Sequence, residues 1–333
     1  MIEIQHLTKR YGEHLAVSDL SFTVDSGQIY GFLGPNGAGK STTMNICTGC
    51  LSATEGTVRI DGYDIFEQPK EAKRRIGYLP ELPPLYMSET PLEYLRFVGE
   101  AKGLRGVELD GQIASVIRQT KIEDVSRRRI SALSKGYRQR VGIAQALLGN
   151  PEVIILDEPT VGLDPLQIVE IRDLIKDLGQ THTVIFSSHI LSEVQAICDQ
   201  IIMIDKGKLI AFDTPENLEK QMLSPNEITI TSDSPAEELQ ELLWGIDRIT
   251  GVHLEDSGDG LTRAWVKTDC PDIYEVSRSV YMAFAQRGAV LLEMSLKKAN
   301  LEDIFLELAE GDAATSAPPA EIAEPAESEV TEE

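Results

Sequence analysis

The sequence predicts an α/β fold, built around parallel strands, over residues 1–221. Strand and helix patterns alternate along this stretch. Two unbroken apolar runs, Val153–Leu156 and residues 183–186, are typical of parallel strands that are covered on both faces. A glycine-rich loop at residues 34–41 joins an apolar run to a helical pattern. With 333 residues, the chain is also long enough for a second, smaller domain.

The elements of this first domain can be assigned in chain order. Residues 28–33 suit a buried strand, and the apolar spacing of Met44, Cys47 and Leu51 suits a helix after the glycine-rich loop. Residues 85–132 are mostly amphipathic, which indicates an inserted helical subdomain. Residues 201–204 and 209–212 are predicted to pair as a hairpin. One further helix is predicted between the two apolar runs. Five apolar residues fall on one face of it: Leu166, Val169, Leu174, Ile175 and Leu178.

Residues 222–310 predict a separate α+β accessory domain. Strand and helix signals alternate there in the order β-α-β-β-α-β, which suits a small ferredoxin-like module. The strands are expected at 227–231, near 252, at 264–266 and at 289–292, with helices at 236–243 and 274–285. A last amphipathic helix is expected at 301–308. Residues 311–333 form an acidic tail of mostly Ala, Pro, Glu and Ser, and we expect it to be disordered.

The glycine-rich loop carries a complete phosphate-binding motif. Residues 34–41 match the pattern G-x-x-x-x-G-K-[ST] between a strand and a helix, so a simple capping turn is a weaker interpretation. Backbone N–H groups and the helix N-terminus favour a polyphosphate, Lys40 adds a positive charge, and the Ser41 hydroxyl can ligate Mg²⁺. The residues expected to contact the nucleotide are Gly34, Pro35, Asn36, Gly37, Ala38, Gly39, Lys40, Ser41 and Thr42.

Two adjacent carboxylates, Asp157 and Glu158, follow the apolar run Val153–Leu156. The carboxyl ends of parallel strands are where such sheets bind ligands. We expect Asp157 to hold Mg²⁺ together with Ser41, and Glu158 to polarise a water in line with the γ-phosphate. The alternative, an exposed acidic pair at a strand end, is disfavoured by the phosphate loop.

Composition narrows the possible partners. The formal net charge of −23 argues against a protein whose main partner is nucleic acid, which usually requires a basic face.

Cys47 and Cys50 form a C-x-x-C without a second pair, so we expect packing on the helix after the loop rather than zinc binding. No signal-peptide pattern or membrane-length apolar run is present, so we expect a cytoplasmic chain whose membrane-spanning partner is separate.

A third motif begins with Leu133-Ser134-Lys135-Gly136-Tyr137, just before an apolar helical pattern. Alone it would be interpreted as a helix N-cap. With the other two motifs, it resembles the signature Leu-Ser-Gly-Gly-Gln of the ATP-binding subunits of ABC transporters. Further positions resemble the same family. They are Tyr11 as the adenine-stacking aromatic, Glu81 in the Q-loop, Asp164 in the D-loop Gly-Leu-Asp, and His189 as the switch histidine.

This resemblance implies an ABC cassette of the P-loop NTPase fold, with a mixed sheet and an inserted helical subdomain. It implies a subunit that hydrolyses ATP with Mg²⁺ at a homodimer interface and drives a membrane permease, as in the type-2 exporters. Catalysis would rest on Glu158, His189, Lys40 and Glu81, and Mg²⁺ on Ser41, Asp157 and Glu81. Ser134, Gly136, Tyr137 and Asp164 would contact ATP held by the other copy.

Some positions depart from the family pattern, and other interpretations stay open. Lys135 and Tyr137 replace Gly and Gln of the signature, and Glu81 replaces the Q-loop Gln, keeping an oxygen but losing an N–H donor. Tyr11 could be a packing aromatic, His189 a structural histidine, and Asp164 a helix cap. The alternative functions are a soluble ABC-type ATPase acting on ribosomes or DNA, and a module that binds ATP without hydrolysing it. Residues 222–310 could stabilise the dimer or regulate it.

Overall fold

The computed structural model of the chain describes residues 1–221, 226–256, 260–270 and 272–297. The chain divides into two units, Met1–Met222 and Leu223–Glu333. The first unit contains the strands β1 (Ile2–Tyr11), β2 (His14–Val24), β3 (Ile29–Leu33), β4 (Glu55–Ile60), β5 (Tyr63–Asp64), β6 (Ile76–Leu79), β7 (Val153–Leu156), β8 (Thr183–Ser188), β9 (Gln200–Asp205) and β10 (Lys208–Asp213). Its α-helices are α1 (Lys40–Cys47), α2 (Pro69–Arg74), α3 (Pro91–Ala101), α4 (Gly106–Gln119), α5 (Lys135–Leu147), α6 (Pro165–Gly179), α7 (Leu191–Gln195) and α8 (Pro215–Gln221).

The strands of the first unit form two sheets. One is antiparallel, in the order β2-β1-β4-β5. The other has the order β10-β9-β3-β8-β7-β6, and only its edge strand β10 runs antiparallel to its neighbour. Phe22 of the first sheet contacts Phe32 and Phe212 of the second, with ring centroids 6.0 and 6.2 Å apart, inside a buried apolar cluster. The two sheets therefore share one core.

Strand register brings the carboxyl ends of β3, β7 and β8 to one edge. Leu33 of β3 pairs with Ser188 of β8, and Leu156 of β7 pairs with Phe186 of β8. The loops that follow these three parallel strands carry the glycine-rich segment, the two carboxylates and His189. These groups therefore meet at the edge where open α/β sheets bind ligands.

The predicted helical region contains α3 and α4, followed by short 3₁₀ turns at Glu123–Val125 and Ile130–Ala132. Helix α3 begins with a capping box, in which Thr90 and Glu93 satisfy each other's backbone N–H groups. The Lys102 ammonium donates to the carbonyls of Gln145, Ala146 and Leu148 at the end of α5. Burial lowers the pKa of Lys102 to about 8. This region is thus attached to the C-terminal end of α5, whose first turn carries the third motif.

Two sequence-based expectations for helices of this unit were wrong. Leu166 and Val169 are 79% and 44% exposed, whereas Leu174, Ile175 and Leu178 are buried, so the five residues do not share one face as expected. The apolar pattern fails at the start of α6 because its first turns border a cavity, described below, instead of the sheet. Likewise, α1 ends at Cys47, so that Cys50 lies outside the helix and is exposed. Of Cys47 and Cys50, only Cys47 packs in the core, and its burial raises the pKa of its thiol to about 12.

The second unit contains β11 (Asn226–Ser232), α9 (Ala236–Trp244), β12 (Ile249–Asp256), β13 (Thr262–Thr268), α10 (Ile273–Arg287) and β14 (Leu291–Lys297). Its antiparallel sheet has the order β12-β13-β11-β14. Apolar residues of α9 and α10, such as Leu243 and Phe284, pack with Ile228 and Val266 of the central strands in a separate core. The helix expected at 301–308 and the tail at 311–333 lie outside the described residues.

None of the helices in the described part of the chain combines the length and the apolar character needed to cross a membrane.

Candidate functional site

A cavity of about 520 Å³ opens at the carboxyl edge of the six-stranded sheet. We call it the glycine-loop cavity. It brings together predicted residues from five separate segments of the sequence. Its lining residues are Tyr11, His14, Ala16, Pro35, Asn36, Gly37, Gly39, Lys40, Ser41, Thr42, Glu81, Glu158, Val161 and His189. Gly34 and Ala38 belong to the same loop but are buried beneath the cavity wall.

The loop is shaped by glycines in the left-handed region. Gly37 and Gly39 have φ values of 85° and 103°. A Cβ on Gly39 would lie 2.6 Å from the carbonyl oxygen of Ala16, so a side chain cannot be accommodated there. Gly39 is also the N-cap of α1 and offers no side-chain hydrogen bond to the first turn. The free backbone N–H groups of that turn are therefore available to an anion.

Lys40 is buried at the start of α1. Its ammonium donates to the carbonyls of Gly34 at 2.8 Å and Pro35 at 3.3 Å, and it lies 3.2 Å from Oε1 of Glu158. The second carboxylate oxygen of Glu158, Oε2, lies 2.9 Å from Nδ1 of His189. Glu158 itself has a φ of 46°, an uncommon backbone conformation for a residue with a side chain. The three side chains thus form one chain of contacts: ammonium, carboxylate and imidazole.

Asp157 is almost fully buried beside this chain of contacts. Its Oδ1 accepts hydrogen bonds from the hydroxyls of Ser187 at 2.6 Å and Ser41 at 3.2 Å. Burial raises the pKa of Asp157 from its ordinary value, and the two hydroxyls partly oppose that shift. Ser187 also accepts a hydrogen bond from the N–H of Glu158 at 2.8 Å. A single buried serine therefore contacts both the Asp157 carboxylate and the backbone of Glu158.

The oxygens of Ser41, Asp157 and Glu81 suit a magnesium ion. Mg²⁺ prefers oxygen ligands, usually one or two carboxylates supplemented by water and phosphate. The Ser41 hydroxyl and the Asp157 carboxylate are already adjacent, and exposed Glu81 lines the same cavity. Across the described residues, no group of three or more His, Cys, Asp and Glu side chains is arranged to hold a metal. This donor set thus fits a cation that is shared with a bound phosphate.

Tyr11 lies at the rim of the glycine-loop cavity, with 49% of its surface exposed. It pairs with His14 across the turn between β1 and β2, and the Lys9 ammonium lies 5.2 Å from its ring centroid. An exposed ring at this point can stack on a flat ligand. His14, Ala16 and Val161 were missed by sequence reasoning, which assigned no turn at Gly12; that turn places His14 opposite Tyr11.

The remaining predicted residues line a different cavity, which we call the Ser134 cavity. Its volume is about 440 Å³, and it shares no lining residue with the first. Its lining residues are Lys121, Ser134, Gly136, Tyr137, Arg140, Asp164, Leu166, Gln167, Glu170 and Ile171. The structure therefore does not bring Ser134, Gly136, Tyr137 and Asp164 together with the glycine-rich loop of the same chain.

Ser134 and Asp164 both cap helices that border this cavity. Ser134 Oγ accepts from the N–H of Tyr137 at 3.3 Å, and Asp164 Oδ1 accepts from the N–H of Gln167 at 2.9 Å. The Tyr137 hydroxyl donates to Asp124 at 2.9 Å, and this hydrogen bond raises the pKa of Tyr137. Both predicted roles of Asp164, cap and interface residue, are compatible with this geometry.

Comparisons with known proteins agree on one family. The family model described as ABC transporter matches residues 17–161. The chain is 34% identical to the bacitracin transport ATP-binding protein BcrA of Bacillus licheniformis, over 93% of this chain and 98% of that protein. It is 31% identical to the linearmycin resistance ATP-binding protein LnrL of Bacillus subtilis, over 92% and 98% of the two chains.

Solved structures give the same result. One ATP-binding subunit of an ABC transporter is 31% identical, with a TM-score of 0.60 over 66% of this chain and 92% of that chain. A dimeric ATP-binding cassette in a post-hydrolysis state, bound to ADP and Pi, is 27% identical, with a TM-score of 0.58 over 64% and 98% of the two chains. Both matches cover about two thirds of this chain and almost all of the known one.

Proposed function

Because this chain belongs to the ATP-binding proteins of ABC transporters and is an ATPase of that family, we propose that it powers an exporting permease through a homodimer that closes on ATP. In this proposal, the glycine-loop cavity of each copy holds one Mg²⁺–ATP. The Ser134 cavity of the other copy completes the site. The permease is a separate membrane-spanning chain, and the ATPase works on its cytoplasmic face.

The observation that carries this proposal is the contact chain of Lys40, Glu158 and His189 at the mouth of the glycine-loop cavity. ATP would draw the Lys40 ammonium towards its β and γ phosphates, because the phosphates carry more negative charge than Glu158. The carboxylate oxygen that Lys40 leaves can then accept a proton from the attacking water. His189 keeps the other oxygen of Glu158 in place. Catalysis of this kind rests on positioning and charge more than on covalent chemistry.

The magnesium ion would be held by Ser41, Asp157 and Glu81, and it would neutralise charge that develops on the phosphates. Ser187 keeps the Asp157 carboxylate turned towards Ser41. Since the same serine accepts from the N–H of Glu158, the orientation of both acidic residues depends on one buried hydroxyl.

The Ser134 cavity supports a role across a dimer interface. It combines a helix N-terminus with the hydroxyl of Ser134 and the backbone of Gly136, which are groups that bind anions. Arg140 and Glu170 form an ion pair at 2.7 Å among its lining residues, but none of those residues is a histidine that could complete a contact chain like Lys40–Glu158–His189. We therefore assign Ser134, Gly136, Tyr137 and Asp164 to the ATP bound by the second copy. Loss of the γ-phosphate on hydrolysis would remove the shared anion and let the copies separate.

The loop after Glu81 supports a docking surface for the permease. Leu82 is 81% exposed, and Tyr86 and Phe97 are about half exposed, with ring centroids 5.2 Å apart. Clusters of exposed apolar side chains on a soluble surface commonly mark an interface. Movement of Glu81 with the nucleotide would reach the permease through this loop.

Export is our choice over import because two of the relatives that match along almost the whole chain are named for bacitracin transport and linearmycin resistance, and a third for Nod factor export. A ribosome- or DNA-directed ATPase is disfavoured by these relatives and by the net charge of −23. The second unit, none of whose described residues lines either cavity, is assigned to an accessory domain that stabilises the dimer.

The test is Glu158→Gln, which keeps the shape of the side chain but removes its ability to accept a proton. We expect turnover to fall by about a hundredfold or more, while ATP induces a stable dimer detectable by size-exclusion chromatography with light scattering. Glu152→Gln, at an exposed position just before β7, is the matched control and should leave both readouts unchanged. Unaltered turnover together with a monomer in ATP would refute the catalytic assignment. Recovery of ribosomes or DNA instead of a permease on purification would refute the transport assignment.

A further inference from the structure

A buried carboxylate behind the site, Glu193, has no part in the chemistry assigned so far. It lies on the short helix α7 and is 4% exposed. It lines neither cavity, and none of the ion pairs among the described residues includes it. Burying a carboxylate without a counter-ion is costly unless hydrogen bonds stabilise it, so a residue chosen for packing alone would be apolar.

Two hydroxyls donate to the same oxygen of Glu193. Thr160 Oγ1 lies 2.7 Å from Oε2, and Ser188 Oγ lies 3.0 Å from it. Thr160 and Ser188 are themselves buried. Hydrogen bonds to a carboxylate in a water-free environment are short and strong. Glu193 therefore joins the segment after β7 to the end of β8.

The two joined segments lead directly to functional groups. Thr160 lies two residues after Glu158, and its carbonyl accepts from the N–H of Leu163, in the turn that leads to Asp164. Ser188 immediately precedes His189, and its hydroxyl also accepts from the N–H of Ile190. One carboxylate thus sets the distance between the Asp164 turn, which borders the Ser134 cavity, and the histidine, which borders the glycine-loop cavity.

We propose that Glu193 is a positioning residue that couples the Asp164 turn to the contact between His189 and Glu158. This inference rests on the proposed function of His189 and Glu158. When a second copy presses on the Asp164 turn, the displacement passes through Thr160 and Glu193 to Ser188 and His189. Hydrolysis is then fastest when the dimer is closed, although Glu193 lines neither cavity.

The first experiment measures ATPase kinetics of Glu193→Ala, Glu193→Gln and Thr160→Val. We expect Glu193→Ala and Thr160→Val each to lower kcat by about tenfold, with KM for ATP changed less than about twofold, because the nucleotide contacts remain intact. Glu193→Gln should recover most of the lost kcat, since its amide oxygen still accepts from a hydroxyl. Ser192→Ala, at an exposed neighbour on the same helix, should behave as wild type.

The second experiment is a double-mutant cycle. If the two residues act as one connection, Glu193→Ala combined with Thr160→Val should be no slower than either single variant. If the loss of kcat in the double variant equals the product of the two single losses, the residues act independently and the inference is overturned. A wild-type kcat in Glu193→Ala would also overturn it. If Glu193→Ala fails to fold, Thr160→Val and Ser188→Ala test the inference in its place. Full turnover in both of these variants would overturn the inference. Glu158→Gln distinguishes failure of the proposed function from failure of this coupling. Normal turnover in Glu158→Gln refutes the proposed function. Normal turnover in Glu193→Ala alone refutes only the coupling.

Discussion

In the glycine-loop cavity, Lys40, Glu158 and His189 contact one another in sequence, whereas the Ser134 cavity has exposed capping groups beside an ion pair between buried Arg140 and exposed Glu170. Lys40, Glu158 and Asp157 are each largely shielded from water, and each has partners within the same chain. Ser134 and Asp164 are exposed and serve mainly as caps of their own helices. One cavity is therefore pre-organised for chemistry, and the other supplies anion-binding groups that need an external ligand. Under the proposed function, this difference would account for a single copy that binds a nucleotide but needs a second copy to turn it over.

The largest effect is expected at Asp157, where one substitution should lower activity and raise stability. Asp157→Asn should reduce turnover by about a hundredfold or more, because Asp157 is the carboxylate in contact with Ser41 and a neutral amide oxygen at this position binds magnesium much more weakly. Without nucleotide, the same variant should be more stable at neutral pH, on the order of 2–4 °C in Tm for each 1 kcal/mol gained. The exposed Asp173→Asn serves as the control for the loss of one charge.

The stability gain of Asp157→Asn should depend on pH in a defined direction. Burial raises the pKa of Asp157, so the folded chain holds this proton more tightly than the unfolded chain does. The group therefore loses its favourable contribution as the pH rises through its folded pKa. The advantage of the variant should be full at neutral pH and should shrink as the pH falls through that value towards 3.8, the ordinary one. Thermal unfolding between pH 7 and 4 without Mg²⁺ would measure this, and a gain that grows on acidification would contradict it.

A smaller effect is expected at the Ser134 cavity. Ser134→Ala should lower turnover and ATP-induced dimerisation by about tenfold while leaving nucleotide affinity of the monomer unchanged. Loss of the helix cap should also cost about 1 kcal/mol of stability. Thr90→Ala removes a comparable cap from α3, a helix that contributes no lining residue to either cavity, and controls for that cost. Reduced ATP affinity of isolated Ser134→Ala monomers would show that the two cavities are not separate in function.

The smallest effect is expected at Glu81. Glu81→Gln should keep turnover within about threefold of wild type, because the amide oxygen remains near the cavity and only one charge is removed. Glu81→Ala, which removes the oxygen as well, should be slower than Glu81→Gln. Steady-state ATPase assays at saturating Mg²⁺ would measure both. If Glu81→Gln abolished turnover, the assignment of this position as a tolerant substitute for glutamine would be wrong.

Site residues could be predicted from the sequence when their partners lie nearby in the chain. The loop at 34–41 and the pair Asp157–Glu158 were found because each motif lies within a few residues, next to an apolar strand. Ser187 and Glu193 were missed because both partners of Ser187, and Thr160 as a partner of Glu193, lie 29 to 33 residues away, and their roles depend on how strands β7 and β8 meet. Leu166 and Val169 were assigned to the same face as Leu174 because helical periodicity cannot show where a neighbouring sheet ends.

The sequence by itself determined the fold class, the nucleotide and the family, because these depend on local patterns: apolar runs, glycines with free backbone and short polar motifs. Only the tertiary structure decided which charged groups contact one another, that Lys40 and His189 share the two oxygens of Glu158, and that Ser134 lies in a cavity of its own. Such contacts join segments that are distant in the chain, and strand register sets them to within a fraction of an ångström. No pattern within one segment carries that information.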